Sequence, residues 1–380
     1  MPIRETFADE LRGFALLGIV LVNAPFLGIS MQGFTSASLL TVADKIAAFT
    51  VVAFAQAKFY LLFSFLFGYS LSFLIKSDNL LSICQFKRRL LGLGLLGVLH
   101  AVFFFSYDIL LMYGLIGCAM LWLKTKSDAT IRKAIFLAFS LWITVLSLVL
   151  LGARLAPDNG QVSASIKVLD AVLQNGSFWQ AAQARINMWP QVLALLFALN
   201  SLGVLAMFCV GLLAGRHKIL AKPDAHQHLW QRGARYGFCV GLPCALTSAY
   251  LSVGPGAMLD APGLRETAGV VLGFATAPFL TFGYVSWLAL SRQRMPNILQ
   301  WCRRAGRMSL TGYLAESIFL SFIFCGYGLG WFGQLGAAAV TLTGLGVWLL
   351  IDQLAHQWQR RYQYGPFEWL LRAWVGKATV

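Results

Sequence analysis

The chain has 380 residues, of which 58% are hydrophobic and only 12% are charged, and its mean hydropathy is +0.69. Soluble domains carry about 25% charged residues, so this composition excludes a soluble globular protein and indicates a polytopic membrane protein. The formal net charge of +15 does not indicate a nucleic-acid partner, because the Lys and Arg residues lie between apolar segments and not on one basic face.

Apolar runs of about 20 residues predict ten membrane-spanning helices. They lie at 11–30, 46–75, 89–106, 108–124, 131–153, 190–215, 233–252, 268–291, 306–325 and 332–357. Only Ser106 and Tyr107 separate the third and fourth helices, which predicts a tight hairpin. We therefore predict an all-α fold in which residues 1–380 form a single transmembrane domain embedded in the lipid bilayer.

The first apolar run could be mistaken for a secretory signal. It is longer than an ordinary signal core, carries Asp9 and Glu10 at its start, and is followed by further spans, so we predict a retained helix. The seven cysteines are scattered and contain no CxxC pair, which favours small buried side chains over a disulfide framework or a zinc site. We expect no metal and no tightly bound cofactor.

The cationic residues predict the orientation of the chain. If the N-terminus lies in the cytoplasm, twenty-four of the thirty Lys and Arg residues fall on the cytoplasmic side, five fall on the outer side, and Lys58 lies inside a span. This asymmetry agrees with the positive-inside rule and with an even number of spans. Both termini are therefore predicted to be cytoplasmic.

Two connecting segments are long. The outer segment 154–189 begins with a turn at residues 157–160, and its later residues predict an amphipathic helix at the interface, either a plain surface helix or a cap over a cavity. The cytoplasmic loop 216–235 holds three histidines without an acid or thiol at ligand spacing. A solvated loop is favoured there over a metal site.

Several polar side chains lie at similar depth inside the predicted spans. These residues are Asn23, eleven positions beyond Arg12; Lys58, twelve beyond the start of its helix; His100, eleven beyond Arg89; and Glu316, nine beyond Arg307. A rise of about 1.5 Å per residue places each roughly 13–18 Å deep, which predicts one polar layer near the midplane. Asp108 is expected on the outer side of this layer, at the top of the hairpin.

This layer could carry chemistry, because polar groups in a membrane usually face a cavity or a bundle interior. We predict His100 as a general base, with Glu316 or Asp108 orienting it. Lys58 or Asn23 could stabilise an oxyanion, and Tyr313 is grouped with them as substrate-binding. The structural alternative is that Lys58 and Glu316 neutralise each other, that Asn23 bonds a neighbouring helix, and that His100 bonds a backbone carbonyl.

A second group of cations lies at the cytoplasmic face. It consists of Arg12, Arg88, Arg89, Arg304 and Arg307, the last preceded by Gly306. Guanidinium groups bind phosphate well, so Arg12, Arg88, Arg89 and Arg307 are predicted to hold a phosphorylated co-substrate. The alternative is that they anchor the helices and contact anionic lipid.

Five motifs in order resemble the YeiB-like family of bacterial inner-membrane proteins, a domain of unknown function. They are DELRGFALLGIVLVN, AKFYLLFSFLFGYS, RRLLGLGLLGVLHAVFFFSYDILLMYGLIG, GRMSLTGYLAES and YGPFEWLLR, and they span nearly the whole chain. The resemblance implies a multi-pass protein of the bacterial inner membrane.

The LRG opening is also similar to that of the transmembrane acyltransferase superfamily, whose members move acyl groups from cytoplasmic acyl-CoA to sugars on the other side. In one branch, an Arg is followed after ten residues by a catalytic His. Here Arg12 is followed after ten residues by Asn23, so the base is not at its expected position. His100, placed by its depth alone, is the candidate to replace it.

The leading hypothesis is an acyltransferase-like membrane protein that moves an acyl group from acyl-CoA to a glycan or another hydroxylated acceptor on the outer side. The competing hypothesis is a transporter or export permease in which Lys58, His100 and Glu316 form a relay. The sequence shows no internal repeat and no paired broken helices, which counts against transport. The third hypothesis is a structural or regulatory membrane protein without catalysis.

Overall fold

The structure is a computed structural model that describes residues 6–74, 80–155 and 161–376. Its described residues form helices and no strand. The α-helices are α1 Thr6–Gly28, α2 Val42–Thr50, α3 Lys58–Leu74, α4 Leu80–Phe103, α5 Leu110–Leu123, α6 Asp128–Leu155, α7 Gln161–Asn175, α8 Phe178–Arg216, α9 Gln227–Val253, α10 Leu264–Ser291, α11 Pro296–Arg307, α12 Ser309–Phe324, α13 Ala337–Gln359 and α14 Pro366–Val375.

The ten predicted spans each have a helical counterpart. Seven stretches are long and apolar enough to cross a membrane, with α2 and α3 counted together, and α5 and α12 are shorter apolar helices. The remaining predicted span is the second half of α4. The prediction of an all-α polytopic membrane protein is confirmed.

The second predicted span, 46–75, is wrong as a continuous helix. After α2, a π-helical turn covers Val51–Ala55, and the helix then breaks at Gln56 and Ala57. Gln56 has an extended ψ of 131°, and Ala57 has a φ of +67°, a left-handed conformation that a non-glycine residue rarely adopts. The next helix, α3, begins at Lys58, so this cation lies at a helix end and not inside a helix.

The outer segment 154–189 also differs from its prediction. It contains two helices: α7, and the first third of the 39-residue α8, which continues without a break into the span predicted at 190–215. The turn predicted at 157–160 lies outside the described residues. Two helices at the cation-rich side were not predicted at all, namely α11 and α14, because both are short and carry several charges.

Contacts between helix ends support the predicted alternation of directions. At the cation-rich side, Arg292 at the end of α10 donates to Glu10 near the start of α1, with Nε and Oε2 3.0 Å apart. At the opposite side, the amide of Gly333, in the loop before α13, donates to the carbonyl of Gly28 at the end of α1. The start of α1 and the end of α10 therefore lie at one side, and the end of α1 and the start of α13 lie at the other, as spans of alternating direction require.

Two glycines allow α1 and α11 to cross closely. A Cβ on Gly13 would lie 1.7 Å from the Cys302 carbonyl oxygen, and a Cβ on Gly306 would lie 1.8 Å from the Asp9 carbonyl oxygen. Both obstacles are backbone atoms, which cannot move aside as a flexible side chain would. The LRG sequence at 11–13 and the AGR sequence at 305–307 thus form the two halves of one backbone contact, which packs α11 against the first half of α1.

We expect Gly306→Ala to destabilise the protein by about 1–3 kcal/mol, because the added methyl group must push two helix backbones apart. The melting temperature in detergent measures the effect. Gly346→Ala is the matched control, since a Cβ there meets nothing within 4 Å. Equal melting temperatures for the two variants would contradict the role of the crossing.

Candidate functional site

The centre of the candidate site is a hydrogen bond between His100 and Asp108. His100 lies in the last turn of α4, Asp108 lies in the connection to α5, and Nδ1 and Oδ2 are 2.7 Å apart. Both side chains are buried. Because the carboxylate accepts at Nδ1, the neutral imidazole carries its proton there and keeps the lone pair of Nε2, as a general base requires.

The local sequence explains why this pair forms. Gly97 is one turn before His100, and a Cβ there would lie 2.6 Å from the Asp108 carboxylate and 2.5 Å from the Leu111 amide. Without a side chain at Gly97, the start of α5 can pack against α4. Asp108 Oδ1 then accepts from the Leu110 amide at 2.7 Å, which holds the carboxylate toward the histidine.

Tyr313 joins this pair from α12. Its hydroxyl donates to Asp108 Oδ2 at 3.0 Å, and its ring centroid is 5.3 Å from that of His100. The predicted catalytic residues His100 and Asp108 are therefore brought together. Tyr313, grouped with the substrate-binding residues from the sequence, instead orients the acid.

Two buried groups near this chain of hydrogen bonds have polar atoms without a partner among the described residues. They are Nε2 of His100 and both carboxyl oxygens of Glu316. Glu316 is one helical turn beyond Tyr313 in α12, and its side chain is almost fully buried. An unpaired buried carboxyl is costly when ionised, so Glu316 is best described as a neutral acid.

Lys58 is not part of the same group. Its Nζ donates to the carbonyl of Val52, the second residue of the π-helical turn, at 3.1 Å, and no described carboxylate pairs with it. The predicted neutralisation of Lys58 by Glu316 is therefore wrong. The helix break lets the Lys58 side chain turn back to the π-helical turn that precedes it.

Asn23 is half-buried in α1 and forms no hydrogen bond with another described residue. The structural alternative, in which Asn23 bonds a neighbouring helix, is not what the structure shows. The alternative for His100, a bond to a backbone carbonyl, is also wrong, because Asp108 takes that place.

The predicted arginine group is only partly assembled. Arg12 donates to Asp9 Oδ1 and to Ser70 Oγ, both at 2.7 Å, so much of its guanidinium is already engaged. Arg89 lies within electrostatic reach of Arg12 and also of Arg372, which α14 contributes. The Nε of Arg89 is buried without a partner. Sequence reasoning missed Arg372 as a member because the terminal helix was not predicted.

Arg88 and Arg307 lie at the edges of this group. The Arg88 carbonyl accepts from the Trp374 indole at 2.9 Å, which docks α14 on α4. Arg307 is exposed at the end of α11. Three of the four predicted cationic residues, Arg12, Arg88 and Arg89, therefore lie along the packed helices α1, α4 and α14.

A separate cavity opens at the cation-rich face. Its volume is about 310 Å³, and its lining includes Glu10, Arg292 and Arg303. It does not include His100 or Asp108, so the buried pair is closed off from this cavity. Within the described ranges, no group of three or more His, Cys, Asp or Glu side chains could hold a metal ion.

Comparisons with known proteins identify the family. The family described as "Protein of unknown function (DUF418)" matches residues 214–378. The chain is 30% identical to the uncharacterized protein YxaH of Bacillus subtilis, over 96% of this chain and 92% of that protein. The chain belongs to the YeiB-like DUF418 family.

Two further relatives have similar coverage. The uncharacterized protein YeiB of Escherichia coli is 26% identical over 97% of this chain and 95% of its own length. An uncharacterized 39.9 kDa protein in the amylase 3' region of Bacillus acidopullulyticus is 24% identical over 96% and 91%. No solved structure matches the chain. None of these DUF418 relatives has a name that states an activity, so the likeness to acyltransferases stays an expectation.

We expect Asp108→Ala to lower the melting temperature clearly, because it leaves buried donors of His100, Leu110 and Tyr313 without an acceptor, at a cost of at least about 1–3 kcal/mol. Tyr313→Phe removes one hydrogen bond and should cost roughly 1 kcal/mol. Asp224→Ala, at an exposed acid, is the control. Equal melting temperatures for all three variants would mean that the buried network does not contribute to stability.

Proposed function

We propose that this DUF418 protein is a membrane acyltransferase of the bacterial inner membrane, with both termini in the cytoplasm. One observation supports this proposal more than any other. A buried His100 is bound through Nδ1 to Asp108, while its Nε2 is left without a partner. This is the arrangement of a general base with an orienting acid.

In the proposed reaction, a hydroxyl of the acceptor approaches Nε2 of His100. The hydroxyl oxygen attacks the thioester carbonyl carbon of acyl-CoA as Nε2 takes the hydroxyl proton. The carbon–sulfur bond then breaks, and the proton passes from the imidazolium to the departing CoA thiolate. Asp108 stabilises the imidazolium during this transfer, and Tyr313 holds the carboxylate in place.

The donor would bind from the cation-rich side. Arg89 and His100 are in the same helix and eleven residues apart, which corresponds to about 16 Å of helix rise. Phosphates held near Arg12 and Arg89 would place an extended thioester arm along α4 toward the histidine. Acyl-CoA is a co-substrate in this scheme and not a resident cofactor.

His100→Ala should reduce acyl transfer by about 100-fold or more, because the base is lost while the fold is kept. The measurement is release of free CoA by the purified protein in nanodiscs, with a glycan or a small polyol as acceptor. His228→Ala, at an exposed histidine, is the control. If His100→Ala kept the full rate of acyl transfer and an unchanged melting temperature, His100 would be excluded as the general base.

Arg12→Ala should weaken donor binding by about tenfold or more, since a charge-assisted contact contributes roughly 1.5–3 kcal/mol. The measurement is the rise in melting temperature with acetyl-CoA and with CoA, compared with the rise for Arg294→Ala, an exposed cation away from the group. Each variant is referred to its own melting temperature without ligand, because Arg12 also bonds Asp9. Equal shifts in the two variants would remove Arg12 from the donor site.

A transporter is the second candidate, and the helix break at Gln56 and Ala57 favours it. Broken helices often line ion and substrate sites in transporters, and here the break is adjacent to a buried cation, Lys58. The buried Glu316 would be the second proton-exchanging group. Proton flux in proteoliposomes that is lost in Glu316→Gln, without any consumption of acyl-CoA, would favour transport over transfer.

A further inference from the structure

On the outer side, α7 bonds the segments that follow α1 and α12, next to the connection that carries Asp108. The carboxylate of Asp170, in the middle of α7, accepts from Ser30 Oγ at 2.5 Å and from the Met31 amide at 2.9 Å. The Met31 carbonyl in turn accepts from the Tyr107 hydroxyl at 2.8 Å. Tyr107 immediately precedes Asp108, so α7 is joined through Met31 to the connection that carries the catalytic acid.

A second contact of α7 closes the other edge. The Leu173 carbonyl accepts from the Gly326 amide at 2.8 Å, in the loop after α12. Cys325, next to that glycine, is buried, and its Sγ accepts from Arg185 Nη2 of α8 at 3.6 Å. Leu169 and Leu173 are the buried leucines of α7, and its Val168 is exposed.

By contrast, α8 is firmly joined to the site. Arg185 is buried, and its Nη1 donates to the Phe103 carbonyl at the end of α4, 2.8 Å away. The Phe178 ring stacks on that of Phe103, with centroids 5.8 Å apart and 3° between the planes. The start of α8 therefore holds the end of α4 and provides a fixed frame beside α7.

The connection between α7 and α8 is short and has the features of a hinge. Gly176 ends α7, and Ser177 caps α8 through the Gln180 amide and side chain. A Cβ on Gly176 would lie 2.5 Å from the Val172 carbonyl oxygen of α7 itself, so the turn that follows this helix favours glycine. Rotation at this joint would lift α7 and leave the capped α8 in place.

From these contacts, we propose that α7 is a lid that hinges at Gly176 and admits a hydroxyl-bearing acceptor from the outer side to His100. This role rests on the proposed function for its purpose. The Asp170 side chain joins α7 to Ser30 and Met31, in the segment after α1, and the Leu173 carbonyl joins it to Gly326. Opening would break these hydrogen bonds and expose Leu169 and Leu173, and protein segments can open locally without global unfolding.

The native cysteines provide the test. Protein in nanodiscs is treated with a membrane-impermeant maleimide, and modification of Cys325 is followed by peptide mass spectrometry. Cys325 should be labelled at least about tenfold faster in Asp170→Ala than in the wild type, which corresponds to a free energy of opening that is lower by roughly 1.4 kcal/mol. Asp170→Asn keeps one oxygen to accept from the Met31 amide, and the Ser30 hydroxyl can rotate to accept from the new amide NH2, so Cys325 should be labelled more slowly there than in Asp170→Ala. Equal rates for Asp170→Ala and wild type would overturn the lid.

Cys209 and Cys302 are buried elsewhere in the chain and report on general loosening of the bundle. If they are also labelled faster in Asp170→Ala, a variant in which α7 is cross-linked in place distinguishes opening of α7 from general loosening. Ser30→Cys combined with Asp170→Cys, joined by a short bifunctional methanethiosulfonate, should slow labelling of Cys325 below the wild-type rate, and reduction should restore it. Unslowed labelling in the joined protein would overturn the lid.

These readouts do not depend on acyl transfer. If Cys325 labels as expected but His100→Ala retains full transfer, the lid stands and the proposed function falls. If His100→Ala loses transfer and Asp170→Ala leaves labelling unchanged, the function stands and the lid falls.

Discussion

The hydrogen bond between His100 and Asp108 is the constraint on which the rest of the site depends. In a membrane interior, water cannot compensate for a lost partner, so both side chains must be satisfied by the protein. This requirement explains why Gly97 lacks a side chain, why the Leu110 amide points at the carboxylate, and why Tyr313 reaches across from α12. Nε2 of His100 has no partner among the described residues, and that atom is the one a base would use.

The two sides of the bundle are built differently. The cation-rich side is closed by backbone contact, with Gly13 and Gly306 locking α11 onto α1, and by the docking of α14 through Trp374. The outer side is closed by polar contacts that can separate, centred on Asp170. Burial raises the pKa of this carboxyl even though Ser30 and Met31 donate to it. Under the proposed function, the donor would enter from the cation-rich side and the acceptor from the outer side.

The helix break at Gln56 and Ala57 sets Lys58 apart from the histidine. A buried cation beside a π-helical turn and a left-handed alanine is a strained and costly arrangement, and such arrangements concentrate at functional sites. Lys58 and the His100–Asp108 pair are separate polar centres, and they support different functions. The general base supports group transfer, and the break supports transport.

The sequence by itself determined the membrane class, the ten apolar segments, the bias of cations to one side and the family, because hydropathy and charge act over whole segments. It also singled out His100, Asp108 and Tyr313, since the motifs that carry them are local. Tertiary structure alone decided that these three meet, that Lys58 and Glu316 do not, and that α7 bonds the segments that follow α1 and α12. Helical depth places a residue along the membrane normal but says nothing about which neighbour it faces. That direction depends on how the helices break, rotate and pack.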